Sequence, residues 1–483
     1  MFTTEQLYSI YLQSRQVTTD SRAITPGCIF FAFKGERFDG NTFAPKALEQ
    51  GAACCVISDP QYKVDDRCMV VPDVLATLQE LAREHRRHLE IPIIGITGTN
   101  GKTTTKELVH AVLSKRYRTS ATKGNFNNHL GVPLTLLSIP ADAEMAIVEM
   151  GANHPGEIEQ LCGIADPDCG LITNVGRAHL EGFGSFEGVV RTKTELYRHL
   201  AGKHGLVFVN SDNERLMHEA EKLATLPGLR SVIPAYAPDN PAFVPDTIER
   251  TPLALLTYGR TQEADIRGTT IGANNDLSLQ DTPYLRFYFE VGDNVYNVRT
   301  RLLGDYNFDN CMAAVAVGLH FGVEPFDIKE AIENYQPSNQ RSEWKQTQRN
   351  SLYLDCYNAN PSSMAAAIAS FATMIGVKGS EKGVKGSERT NAKCYAIIGG
   401  MHELGSDERK EHEKVVEQLA DCHLDRVLLV GPEWEPLPHP DNMLLFADTE
   451  AVAQHLQQHP VEGATILVKG SNTNRLWTLE QYL

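Results

Sequence analysis

Lys102 stands at the end of a glycine-broken turn, TGTNGKTTT, that leaves the apolar run IIGI and enters the helix-compatible run KELVHAVL. Gly98 and Gly101 free the backbone to turn tightly and to point successive N–H groups inward. With Thr99 and Asn100 between them, the turn runs into the positive end of a helix, which suits a phosphate chain. Lys102 would reach the β- and γ-phosphates, and Thr103 or Thr104 would offer a hydroxyl to Mg²⁺. The G-x-x-x-x-G-K-[ST] spacing departs at one place, since Ile96 stands where the first glycine is expected. An ordinary strand-to-helix turn with a solvated lysine is the plainer alternative, and the strand before, the helix after and the GKT core all argue against it. A GTPase switch, a kinase and an ATP-driven ligase would each use such a turn. The N-K-x-D tetrapeptide that reads guanine does not occur, which weakens the switch.

The elements that position this turn follow from the pattern along the chain. At 483 residues the chain is long enough for three domains, because single cores rarely grow past roughly 250 residues. Residues 1–90 carry short strand-like runs, CIFFAF and AACCVIS, with a helix-like TFAPKALEQG, and form a small α/β module. Residues 91–336 alternate strand and helix (IPIIGITG, EMAIVEMG, CGLITNVG), the pattern of a parallel-sheet P-loop ATPase domain with helices on its faces. Between about 235 and 303, runs such as YLRFYFEV and VYNVRTRLLG read as antiparallel strands added to it, and NFDNCMAAVAVGLHFG as a helix. The polar QPSNQRSEW marks the next boundary, and LYLDCY, KCYAIIGG, DRVLLVG and ATILVKG give the strands of a Rossmann-like domain over 337–483. Its polar residues cluster just after those strands, where open α/β sheets place ligands. The tandem GVKGSE at 376–381 and 383–388 reads as an exposed loop insertion without chemistry.

Composition sets limits on partners and compartment. A formal net charge of −16 argues against general affinity for nucleic acid or anionic membrane. The N-terminal residues lack a basic segment followed by a sustained apolar one, and no apolar run approaches the roughly 18 residues of a spanning helix. A soluble, cytoplasmic monomer is expected. The ten cysteines include no C-x-x-C pair and sit mostly among apolar residues, so they are expected to be buried and reduced.

Further motifs carry a resemblance. TGTNGKTT, TKGNFNNHLGVPLTLL (122–137), EMGANHPGEI (149–158), NVGRAHLEGFGS (174–185), DCYNANPSSMAAAI (355–368), GGMHELGSDERKEH (399–412) and LVKGSNTNRL (467–476) follow one another as in the Mur ligases, which build the peptidoglycan stem peptide. TTDSRAITPGCIFFAFKGERFDGNTF resembles that family's UDP-binding module. YNANP resembles the D-alanyl-D-alanine-adding branch, and the D-N-P-R motif of the diaminopimelate-adding branch is absent. The resemblance implies an ATP- and Mg²⁺-dependent amide ligase that joins D-alanyl-D-alanine to UDP-N-acetylmuramoyl-tripeptide through an acyl phosphate. A sister Mur ligase, a folylpolyglutamate synthetase, or a non-enzymatic nucleotide-dependent scaffold are the alternatives.

The resemblance also implies roles for individual residues. Glu149 and His179 would lie at a second Mg²⁺. Lys193 would react with CO₂ to give a carbamate that turns a repelling charge into metal-attracting oxygens, whereas by composition alone it is a surface lysine. Asn307 and Asn310 of GDYNFDN match a G-x-H-N-x-x-N pattern in which Tyr306 replaces the usual histidine, and would meet adenine, with helix capping as the alternative for one of them. Arg341 would swing onto the γ-phosphate, and Asp355 would lie near the ribose hydroxyls. Tyr357, Asn358, Asn360 and Ser363 would contact D-alanyl-D-alanine, and Lys469 and Ser471 follow the last strand. Ser21, Arg22, Asn41 and Thr42 are the candidates for the uridine diphosphate, and Asn125, Asn127 and Asn128 for other substrate contacts or for turn formation.

Overall fold

The protein is described here by a computed structural model that covers residues 3–36, 38–224, 253–271, 283–337, 341–376 and 393–483. The tandem GVKGSE repeat from Val377 onward lies outside the described residues, as do 338–340 of the polar QPSNQRSEW segment.

Near the N-terminus four short strands, Val17–Thr18, Ile29–Phe31, Cys54–Ile57 and Cys68–Val70, form one parallel sheet in that order. Both faces are covered, so CCVI is buried at all four positions and reads as a continuous apolar run. All ten cysteines are unpaired and buried, as expected, and burial pushes the Cys54 and Cys55 thiols up to about 12. The helix Thr4–Ser14 begins at a capping box between Thr3 and Gln6, and the helix Val74–Arg87 is capped by Asp73. Both dock on the next domain, at the helices Gly131–Leu137 and Glu157–Ala165. Tyr11 Oη donates to Leu137 O at 2.8 Å, while Arg86 donates to Ala165 O and pairs with Asp168 at 2.9 Å.

The central nine-stranded sheet has Ile93–Thr97 flanked by Met145–Glu149 and Cys169–Ile172, all parallel. Their C-terminal ends release the loops at 98–101, 150–156 and 173–179 on one edge. The antiparallel expectation for 235–303 holds only in part. Tyr284–Val291 pairs antiparallel with Ile266–Thr270 and with Asn294–Leu303, but Ala254–Gly259 runs parallel to Leu206–Asn210, and Ile266–Thr270 parallel to Ala254–Gly259. Alternation in sequence reports which face of a strand is buried and says nothing of its direction.

The six-stranded C-terminal sheet is ordered Glu343–Gln346, Ser351–Asp355, Ala464–Lys469, Lys393–Gly399, Arg426–Val430, Met443–Phe446. Only the first strand is antiparallel to its neighbour. The expected strands are present, and the edge strands Glu343–Gln346 and Met443–Phe446 join them. The C-terminal ends of Ser351–Asp355 and Ala464–Lys469 face the phosphate-loop edge of the central sheet, so one cleft lies between two strand-end edges. No helix among the described residues is long and apolar enough to cross a membrane.

Candidate functional site

The cleft has a volume of about 690 Å³, and its floor is the turn after Ile93–Thr97. Gly98 sits at φ +146°, and a Cβ there would come within 2.0 Å of Thr173 Oγ1; Gly101 sits at φ +78°, where a Cβ would meet Asn310 Oδ1 at 2.5 Å. Glycine is therefore required at both positions, and Gly101 starts the helix Lys102–Leu113 from the left-handed region. The turn is pinned from the neighbouring strand end. Thr99 N donates to Asn174 O (2.9 Å), Asn100 N to Asn174 Oδ1 (3.0 Å), and Thr173 Oγ1 to Asn100 O (2.6 Å). Lys102 Nζ folds back onto Gly98 O (2.8 Å) and Thr99 O (2.9 Å). Burial pushes it down to about 8, with Arg341 adding to the fall and Glu149 opposing it.

Thr103 Oγ1 donates to Glu149 Oε1 at 3.2 Å and Asn127 Nδ2 donates to the same oxygen at 2.8 Å. Glu149 Oε2 is buried with no hydrogen-bond partner. A buried carboxylate oxygen left bare beside a threonine hydroxyl fits a hard cation. The other two residues of the expected metal set have partners of their own. His179, at φ +51°, has Nδ1 engaged by Glu403 of the C-terminal domain. Lys193 is 2% exposed, and its Nζ bonds Ala152 O at 3.3 Å beneath the Phe183 ring. Among the described residues no group of three His, Cys, Asp or Glu side chains could hold a metal. Burial, with Lys102 nearby, holds the Lys193 amine well below the usual lysine range.

Asn307 and Asn310 are buried and line the cleft, but their amides also brace the floor. Thr105 Oγ1 donates to Asn310 Oδ1 (3.0 Å), Asn310 Nδ2 to Asn307 Oδ1 (2.8 Å), and Asn307 Nδ2 to Leu303 O (2.7 Å). Tyr306, the residue in the histidine position, places its hydroxyl 2.6 Å from Ser342 Oγ and 2.7 Å from Tyr353 Oη, joining the central sheet's last loop to the C-terminal domain.

From the C-terminal side, Arg341 lies over the Tyr357 ring at 3.7 Å, and its Nε is buried without a partner. Asp355 pairs with the buried Lys469 at 2.9 Å, and Lys469 Nζ also donates to Asn358 O at 2.6 Å. Asn360 and Ser363 form the capping box of the helix Pro361–Met374, while Asn360 Nδ2 reaches Asn100 Oδ1 at 2.8 Å. Asn358 is exposed at the cleft rim.

The remaining candidates divide. Asn125, Asn127 and Asn128 all line the cleft, with Asn128 Oδ1 spent on the N–H groups of Leu130 and Gly131. Ser21, Arg22, Asn41 and Thr42 lie in the N-terminal domain away from it. Asn41 braces loops of its own domain. It is fully buried, its amide donates to Asp39 Oδ1 and accepts from the N–H groups of Ser58 and Asp59, and it ties two loops together. Arg22 is exposed and turned onto Asp20 at 2.8 Å. Sequence reasoning passed over Arg177, which donates to Glu411 Oε1 (3.1 Å) and whose N–H donates to Ser362 Oγ (2.9 Å). Its place in NVGRAHLEGFGS was the available signal.

Comparison with known proteins agrees along the chain. Residues 14–89 match the Mur ligase family catalytic domain, 96–232 the Mur ligase middle domain, and 340–472 the Mur ligase glutamate ligase domain. The chain is 31% identical to the UDP-N-acetylmuramoyl-tripeptide–D-alanyl-D-alanine ligase of Bacillus subtilis, across 95% of this chain and 91% of that one. It is 32% identical to the ligase of the same name from Escherichia coli, with the same coverage. Among solved structures, MurF from Acinetobacter baumannii superposes with a TM-score of 0.77 at 28% identity, covering 96% of this chain and 92% of that one. MurF ligase from Thermotoga maritima in complex with ADP gives 0.77 at 26% identity, covering 98% and 97%.

Proposed function

The chain belongs to the Mur ligase family, and on that premise we propose that it is an ATP-dependent ligase joining D-alanyl-D-alanine to UDP-N-acetylmuramoyl-tripeptide in peptidoglycan synthesis. The observation that carries this reading is the single cleft into which the central domain presents Lys102 and the C-terminal domain presents Arg341 and Asp355. The tripeptide carboxylate attacks the γ-phosphate, ADP leaves, and the amino group of the dipeptide displaces phosphate from the acyl phosphate. Charge builds on the transferring phosphoryl group, so preorganised cations are the main requirement. Lys102 exchanges its loop carbonyls for phosphate oxygens, and Arg341, whose Nε is unpartnered, moves onto the γ-phosphate from the opposite wall. Asn307 and Asn310 hold the loop and border the base, and Asp355, fixed by Lys469, faces the ribose.

Thr103 and Glu149 would hold Mg²⁺, since Glu149 Oε2 is bare and buried; the ion would neutralise the phosphate charge. Lys193 fits a carbamate on one physical ground. Burial holds its amine well below the usual lysine range, which favours the neutral form, and only the neutral amine reacts with CO₂. The dipeptide lies by Tyr357 and Asn358, and the uridine diphosphate is held in the N-terminal domain by Ser21, Arg22 and Thr42. The enzyme works in the cytoplasm as a monomer, with domains at 1–90, 91–336 and 337–483. Phosphate release measured with ATP, D-alanyl-D-alanine and UDP-N-acetylmuramoyl-tripeptide, each omitted in turn, tests the reading. Release that requires all three supports it, and release indifferent to the dipeptide overturns it.

A further inference from the structure

A second, smaller cavity of about 170 Å³ adjoins the main cleft, sharing His179 and Asn358 with it and adding His402, Glu403, Ser471 and Thr473. Behind His402 lies a carboxylate for which the reaction as described has no use. Glu433 Oε1 is 3.5 Å from His402 Nδ1, and Glu433 Oε2 is buried without a hydrogen-bond partner. The carboxylate occupies space left by two glycines. A Cβ on Gly400 would come 2.4 Å from Oε2, and one on Gly431, at φ +124°, 2.2 Å. The loop that carries His402 is fixed by His412, which accepts from Met401 N at 3.0 Å and donates from Nδ1 to Glu408 O at 2.8 Å.

We propose that His402, backed by Glu433, is the base that takes a proton from the ammonium group of the incoming D-alanyl-D-alanine. This rests on the activity proposed above. The dipeptide amine arrives protonated and has no lone pair to offer. His402 Nε2 accepts one proton, the freed pair forms the C–N bond at the acyl-phosphate carbon, the C–O bond to phosphate breaks with its electrons on phosphate, and the second nitrogen proton leaves to solvent. Glu433 is a positioning residue that holds the ring and offsets its charge.

Hydroxylamine separates the two steps, because it is uncharged at neutral pH and traps the acyl phosphate as a hydroxamate without a base. In the full-length enzyme with ATP, Mg²⁺ and UDP-N-acetylmuramoyl-tripeptide, His402→Gln should form hydroxamate at the wild-type rate. Its ligation of D-alanyl-D-alanine should fall by about 10²-fold or more, the usual scale for general-base loss. Glu433→Gln and Gly400→Ala should each lower ligation in the same selective way, and KM for ATP should not move. Wild-type ligation by His402→Gln, or equal loss of ligation and hydroxamate, overturns the proposal. Absence of hydroxamate from the wild-type enzyme would instead overturn the acyl-phosphate reading beneath it.

Discussion

Lys102 carries both a function and a cost. Its ammonium is surrounded by carbonyls of its own loop, and burial lowers its affinity for a proton to a value of about 8. Below that pH it is charged and attracts phosphate; above it the charge, and with it the attraction, is lost. The affinity of the ligand-free enzyme for an ATP analogue should therefore weaken as pH rises through about 8. Titration calorimetry across pH 7–9.5 should show this slope in the wild type and its absence in Lys102→Met. Lys102→Ala should stay folded and lose at least ~10²-fold in turnover, the scale for removing one charge-stabilising donor. Lys193 gives a second test at this scale. Lys193→Ala should be nearly inactive and regain part of its rate with formate or acetate, which supply the missing anionic oxygens, while Lys193→Arg should not recover. Full wild-type activity in CO₂-depleted buffer, with no added mass on the Lys193 peptide, would remove the carbamate.

At the scale of elements, the strand–turn–helix of 93–113 places everything else on the cleft floor, and Gly101 is its most exacting position. Gly101→Ala forces a side chain into the left-handed region at about 1–2 kcal/mol and against Asn310 Oδ1, which breaks the Thr105–Asn310 brace. Gly463, at φ +68° with open space around its Cβ position, is the control. Chemical denaturation should show both alanine variants destabilised, with nucleotide affinity falling only for Gly101→Ala. This element was legible in the sequence because an apolar run, two glycines and a helix-period run meet at one lysine. The Asn360–Ser363 capping box was equally local but did not stand apart from the dipeptide contacts expected of the same residues, since a capping asparagine and a ligand-binding one look alike in sequence. Asn41 could not be read at all. Its partners Ser58 and Asp59 lie 17 and 18 residues away, and only the folded loops show that its amide is already spent. Strand direction in 254–270 was hidden for a related reason, because pairing partners are chosen in space.

For the whole molecule, the arrangement of the C-terminal domain decides whether the cleft is complete. Beside the packing of Leu303 and Tyr284 on the C-terminal core, polar contacts hold it against the central domain, among them Arg177 to Glu411 at 3.1 Å, Asn360 to Asn100 at 2.8 Å, Tyr306 to Ser342 at 2.6 Å, and the His179–Glu403 pair. Half-exposed ion pairs contribute little individually and are screened by salt, so an interface of this kind opens readily when nothing fills it. In the reaction proposed above, catalysis requires the closed form, because Arg341 and Lys102 would reach one phosphate group from opposite walls and because water must be kept from the acyl phosphate. Small-angle scattering of the ligand-free enzyme should show a larger radius of gyration than with an ATP analogue, Mg²⁺ and UDP-N-acetylmuramoyl-tripeptide, and added salt should widen the difference. Arg177→Ala should expand the free enzyme further while the liganded form still compacts, since bound substrates replace the lost contact. Arg341→Ala should act in the opposite place, leaving the free enzyme unchanged, weakening ligand-driven compaction and lowering kcat more than the affinity for the UDP substrate. Identical scattering curves with and without ligands, together with normal turnover by Arg341→Ala, would show that the two walls do not move and that Arg341 takes no part in phosphoryl transfer.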